Sequence, residues 1–163
     1  MSKLIIGVDP DADKNGVARY NKSGELRELK SLSSLKFYFF IDDLLLHEEI
    51  EDIQIHIEDL KAISASNFKH KPKMKQSVKN TISESVGKCK QAQTEIENIA
   101  AHFGIEVVKH RVSSKWKSTK EKAEFQQLTG WTKNSNEDNR SAAYFGYIGV
   151  LKTKENKHAR TNK

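Results

Sequence analysis

The chain opens with an apolar run, Leu4 to Val8, that ends at Asp9 and Pro10. After Asp11 to Asn15 it resumes through Gly16 into a second run ending at Tyr20. Strand-favouring residues broken by Asp, Pro, Asn and Gly predict two strands joined by a turn. A third strand, Leu26 to Leu32, follows the hairpin-forming tetrapeptide NKSG. Three strands joined by short turns form an antiparallel meander. Asp9 then stands at a strand end, either as a turn former or as a carboxylate held on rigid backbone. Partners elsewhere in the chain must decide between the two.

The periods then change. Ser33 or Ser34 can cap a helix over Leu35 to Glu49; FYFFI within it has strand propensity, but the length of the segment and the following LLLHEE favour helix. Ile53, Ile55 and Ile57 alternate with Gln54, His56 and Glu58, which is strand patterning, and it brings a second carboxylate to a strand tip. His56 on that strand reads as exposed or structural rather than as a base. The polar, basic stretch SASNFKHKPKMKQ reads as a loop. Apolar residues from Val78 through Ile82, Val86, Cys89 and Ile96 to Phe103 then recur at spacings of three and four, ended by Gly104, and predict one helix of about 28 residues. At ~1.5 Å per residue it spans about 40 Å, more than a small domain needs, so part of its stripe either packs on a second subunit or belongs to the core. Ile105 to Val108 is a short strand, Thr119 to Leu128 a short helix, and Ser135 or Asn136 can cap a last helix that opens with Glu137 and Asp138. The polar residues after Lys152 are expected to fray, giving one domain over 1–151 and a basic, disordered tail over 152–163.

At 163 residues and 36% hydrophobic content the chain can bury one real core. It has no apolar run near the roughly 20 residues that cross a bilayer and no signal-peptide pattern, so a cytoplasmic protein without membrane contact is expected. The single cysteine, Cys89, excludes an internal disulfide and reads as a small apolar residue. The net charge of +6 hides a segregation. Residues 61–90 hold eight lysines and one acid, 109–122 six basic residues and one acid, and 152–163 five basic residues and one acid. The remainder is strongly acidic. A split this large in one small domain favours a polyanion partner, most commonly nucleic acid.

Asp9 on the first strand, Glu58 ending the fourth and Asp138 opening the last helix occur in an order that resembles the ribonuclease H-like superfamily. Within it, IIGVDPDADKNGVA, IHIEDL, SVGKCKQA, GIEVVKHRVSSKWK and DNRSAAYFGYIG are similar to the motifs of the RuvC-type Holliday junction resolvases, over residues 3 to about 150. The resemblance implies an α/β fold: a mixed five-stranded sheet, three strands in an antiparallel meander plus two parallel strands, flanked by helices. It implies Asp9, Glu58 and Asp138 as catalytic residues and ligands of two Mg2+ or Mn2+ ions, with branched DNA as substrate, four-way junctions above all; the two symmetric strands of such a junction make a homodimer the expected architecture, with the long helix 76–103 as its interface. Phe68, Lys69, Lys71, Lys73, Lys75, Lys115 and Lys117 are the expected nucleic-acid contacts; Phe68 is either a junction wedge or a residue that packs its loop, and Trp116 among the lysines reads as core.

The chemistry supports this set independently. In-line phosphodiester hydrolysis is well served by paired metal ions held by hard oxygen ligands, and clustered carboxylates stay ionised only beside a cation. Two departures stand out: Asp11 where the family has Gly, and Ser141 where it often has a second acid on the closing helix. Asp11 either crowds the metal site or adds a ligand, and the fourth position is open among Glu137, Asp59, water and a weakened site. An EF-hand reading of Asp9, Asp11, Asp13 and Asn15 fails because Lys14 and Tyr20 occupy the positions that require Gly and Glu. A non-catalytic nucleic-acid-binding module, or a nuclease acting on hybrids, remains the alternative.

Overall fold

The computed structural model describes residues 2–63 and 74–161. Five strands, β1 (Leu4–Asp9), β2 (Asn15–Tyr20), β3 (Leu26–Leu32), β4 (Ile53–Glu58) and β5 (Glu106–His110), form one sheet in the order β3-β2-β1-β4-β5. β1, β2 and β3 pair antiparallel, whereas β4 runs parallel to β1 and β5 parallel to β4. The helices are α1 (Ser34–Leu44), α2 (Gln76–Phe103), α3 (Lys122–Thr129) and α4 (Glu137–Thr161). This is the expected meander with two parallel strands added.

Side-chain alternation sorts the sheet into two faces. Leu4, Ile6 and Val8 of β1 and Ile53, Ile55 and Ile57 of β4 pack under α1 and α2, against Phe37, Ile41, Ile96 and Ala100. On the opposite face Ile5, Ala18 and Tyr20 pack against Ala142, Ala143 and Val150 of α4, with Trp116 and Phe125 alongside. The odd positions of β1 and the even positions of β4 therefore share the α4 face. Asp9 and Glu58 both belong to it.

α4 lies very close to the sheet because glycine removes the side chain at the crossing. A Cβ on Gly7 would stand 1.9 Å from the Ala142 carbonyl oxygen, and one on Gly16 would stand 2.2 Å from that of Asp138. The start of α4 is fixed by reciprocal caps: the Asn139 amide donates to Asn136 Oδ1 and the Asn136 amide to Asn139 Oδ1, both at 2.9 Å. Gly16 and this cap together set Asp138 over the end of β1.

The structure differs from expectation at two helix ends. α1 stops at Leu44 rather than Glu49, since β4 must start at Ile53 and Lys22 draws Glu48 and Asp52 into the intervening turns at 2.8 and 2.6 Å. α4 continues to Thr161, where a disordered tail over 152–163 was expected. Local polarity predicts fraying, but a helix already nucleated on the sheet propagates at low cost through residues such as Lys152, Lys154 and Glu155. Among the described residues no helix is long and apolar enough to cross a membrane.

Candidate active site

Asp9 and Glu58 end β1 and β4, neighbouring parallel strands whose last register pair is Val8 with Ile57. Both carboxylates are buried, at 3% and 1% exposure. Asp138, half-buried in the first turn of α4, completes a three-acid group. Burial, followed by the charge of Asp9, pushes the Glu58 carboxyl up to about 7, against the pull of Lys117 and the Ser113 amide. Burial also raises Asp138, with Asp9, Asp11 and Glu137 adding to the shift. The charge of Asp9 thus acts on both of the other acids.

Lys117 answers them. Its Nζ lies 3.0 Å from Asp9 Oδ2 and 3.9 Å from Glu58 Oε2. Burial pushes this ammonium down, but Asp9 and Glu58 outweigh burial and leave its pKa raised, so it stays charged. The approach to Asp9 Oδ2 lacks hydrogen-bond geometry, and among the described residues that oxygen has no hydrogen-bond partner. The other fixed contact is the Ser113 amide, which donates to Glu58 Oε1 at 3.1 Å.

The loop that carries Ser113 and Lys117 is held by an unusual device. Trp116 adopts φ 63°, a left-handed conformation that costs a non-glycine residue about 1–3 kcal/mol. Its indole is buried against Phe125, Tyr144 and Tyr147, and Nε1 donates to Glu124 Oε2 at 3.2 Å. The buried Arg140, two residues after Asp138, donates from Nε to the Trp116 carbonyl at 2.8 Å and from Nη2 to the Lys117 carbonyl at 2.7 Å. Hydrogen bonds from a charged donor contribute about 1.5–3 kcal/mol each, enough to offset the strain.

Of the residues expected to contact nucleic acid, Phe68, Lys69, Lys71 and Lys73 lie outside the described residues. Lys75 is exposed at the start of α2. Lys115 is half-exposed and lies 3.5 Å from Glu124 and 3.8 Å from Glu121. Lys117 points into the acid group. Two candidates for a fourth ligand separate here. Asp59 faces α2, where Gln93 Nε2 donates to its Oδ1 at 2.9 Å, so it is turned away from Glu58. Asp11 is close enough for its charge to raise Asp138, while its Oδ1 accepts from the Asp13 amide at 3.0 Å. Ser141 is fully buried, and among the described residues its hydroxyl oxygen has no hydrogen-bond partner.

Sequence reasoning missed Arg140 and the histidine pair beneath the site. His56 is buried, with Nδ1 2.7 Å from His110 Nε2 and Nε2 2.8 Å from Gln54 Oε1. It is structural, with both ring nitrogens partnered, and it is not exposed. The signal for Arg140 was a basic residue inside a helix of small residues. The signal for His56 was that it shares Glu58's strand face.

As placed, no group of three or more His, Cys, Asp or Glu side chains among the described residues converges to ligate one ion. The donor chemistry nevertheless fits a hard divalent cation. Asp9 presents a buried carboxylate oxygen with only an ion-pair contact, and Glu58 is driven toward protonation by the very burial that a cation would compensate.

A five-stranded mixed sheet of an antiparallel meander plus two parallel strands, packed by helices on both faces, is the ribonuclease H-like fold. Among solved structures, the chain is similar to Thermus thermophilus RuvC in complex with a Holliday junction substrate, at TM-score 0.60 and 10% identity, covering 89% of this chain and 90% of that one. It is similar also to a second structure of Thermus thermophilus RuvC, at TM-score 0.53 and 12% identity over 92% of this chain and 97% of that one. The chain has the RuvC-type ribonuclease H-like fold. No family model matches its sequence, and no curated protein is similar to it in sequence.

Proposed function

We propose that this protein is a metal-dependent endonuclease that hydrolyses phosphodiester bonds in branched DNA, with the four-way junction as its main substrate. The observation that carries this reading is the burial of Asp9 and Glu58 side by side beneath Asp138. Such a group destabilises a fold unless a cation belongs there. Asp9, Glu58 and Asp138 would hold Mg2+ or Mn2+, with Asp11 the best-placed further donor. When bound, the metal activates water and stabilises the leaving oxygen. The chain's own residues supply the rest: the Ser113 amide orients Glu58, and Lys117 offers a positive charge to a phosphate arriving at the acids. The lysines at 69, 71, 73 and 75 follow the Glu58 strand in sequence and are assigned to phosphates on the substrate arms.

A junction presents two equivalent strands, which suits a two-fold dimer. Support for one comes from α2, whose buried residues Ala92, Gln93, Ile96 and Ala100 all lie in its C-terminal half, while in its N-terminal half Val78 is exposed and Ile82 and Val86 are half-buried. One observation favours a second reading, a non-catalytic branched-DNA binder: Lys117 already neutralises the acids.

Cleavage of matched junction, flap, duplex and RNA–DNA hybrid substrates with Mg2+ or Mn2+ separates the two. The expected result is junction cleavage by the wild type and none by Asp9→Asn, with junction binding by the variant retained within about threefold, since phosphate contacts elsewhere carry affinity. Binding without cleavage by the wild type selects the second reading. Cleavage retained in Asp9→Asn overturns the site assignment.

A further inference from the structure

We propose that Arg140 is a positioning residue for Lys117: it reaches from the helix turn that carries Asp138 and fixes the backbone on both sides of the Lys117 α-carbon, so that the ammonium is aimed at Asp9 and Glu58. Nε holds the Trp116 carbonyl at 2.8 Å and Nη2 holds the Lys117 carbonyl at 2.7 Å. Those two carbonyls belong to the peptide planes before and after the Lys117 α-carbon. Fixing both planes fixes φ and ψ at Lys117, and with them the direction in which its side chain leaves the chain. The remaining donor, Nη1, reaches the Ser135 carbonyl at 3.2 Å and its hydroxyl at 3.4 Å, tying the same guanidinium to the segment before α4.

Core stability alone does not account for this residue. Arg140 is 6% exposed, and among the described residues no carboxylate lies within ion-pair distance of it. A buried guanidinium satisfied only by neutral acceptors is expensive compared with an apolar side chain of similar volume. Its planar fork does what no apolar residue and no lysine can do, which is to grip two successive carbonyls at once. The grip falls next to the left-handed Trp116, the point at which the loop would otherwise relax. One helix turn thereby sets two elements of the site together, Asp138 directly and Lys117 through its backbone.

The proposal rests on the nuclease reading only for its second test. The first uses metal-free protein and no DNA: trace acylation of the lysine amines with acetic anhydride, with the rate at each lysine read by peptide mass spectrometry. In the wild type, Lys117 is expected to react about tenfold more slowly than the half-exposed Lys115, because its ammonium is held 3.0 Å from Asp9 and is more covered. In Arg140→Met, Lys117 should approach the Lys115 rate, and in Arg140→Lys it should fall between. Circular dichroism and thermal melting identify variants that fold, and Arg140→Lys, which keeps charge and volume, serves if Arg140→Met does not. An unchanged ratio of Lys117 to Lys115 reactivity in a folded variant overturns the proposal, since a merely structural arginine lowers the melting temperature without moving that ratio. In the second test, Arg140→Met should lower kcat on a junction while leaving KM within about twofold, and the double variant with Lys117→Met should be no slower than Lys117→Met alone. Additive losses overturn it. If the wild type cleaves nothing, the nuclease reading fails and the acylation result still decides the role of Arg140.

Discussion

Asp9 and Glu58 hold like charges out of water at adjacent strand ends, and the response of each neighbour can be read individually. Lys117 lowers the cost of the pair, the Ser113 amide fixes one oxygen of Glu58, and Asp9 raises Glu58. Removing the Asp9 charge by Asp9→Asn should therefore lower the Glu58 pKa from about 7, and Lys117→Met should raise it. Carboxyl 13C shifts followed through a pH titration of metal-free protein check both directions; a Glu58 titration insensitive to Asp9 would separate the two acids. The acids themselves were legible in the sequence because a carboxylate at a strand tip interrupts an apolar pattern. Ser141 was legible as a departure, but the burial of its hydroxyl was not, because burial depends on how closely α4 approaches β1.

Among the elements, α4 decides most. Gly7 and Gly16 let its backbone touch the sheet, and the Asn136–Asn139 cap sets its first turn. Gly7→Ala would drive a Cβ into the Ala142 carbonyl at 1.9 Å, a backbone clash that no rotamer relieves. It should destabilise the protein by about 3 kcal/mol or more, at or above the top of the usual overpacking range, measured as a shift in urea denaturation. The N-terminal half of α2 makes the opposite case, since Val78 is exposed and Ile82 and Val86 are only half-buried. Ile82→Glu is expected to convert a dimer to monomer in sedimentation at micromolar protein while the melting temperature stays within a few degrees. A wild type that sediments as a monomer with and without junction DNA would remove the dimer from the proposal. Periodicity predicted α2 with its end at Gly104, which adopts φ 74°. Periodicity also placed the end of α1 too late, because its stop is imposed by the distance the chain must cover to enter β4.

Over the whole molecule, charge burial makes stability depend on pH in two opposing ways. Burial, then His110 and Lys152, hold His56 at about 3. The unfolded chain therefore takes up a proton near the ordinary 6.5 that the folded chain refuses, and stability falls as pH drops from about 6.5 toward 3. His110, held at about 4 by burial and then by Lys152, acts in the same direction. Glu58 acts oppositely: raised to about 7, it is protonated in the folded chain before the unfolded one, so it adds stability as pH falls from 7 to about 4.5. Asp138, also raised, acts with Glu58, but the two histidines, held at about 3 and about 4, together outweigh both carboxyls, so the urea midpoint should fall on acidification below about pH 6.5, and fall more steeply in Glu58→Gln. A midpoint that rises between pH 6.5 and 5 would contradict this balance. The sequence by itself determined the order of strands and helices, the two acids at strand tips and the acid at the head of the last helix, since periods of two and 3.6, turn residues and caps are local properties. Only the tertiary structure decided that Lys117 belongs to the acids, that Asp59 faces away from them, and that Arg140 holds the loop between. Those depend on which face of the sheet each side chain meets and on how closely a glycine-lined helix crosses it, and neither is encoded in any single stretch of the chain.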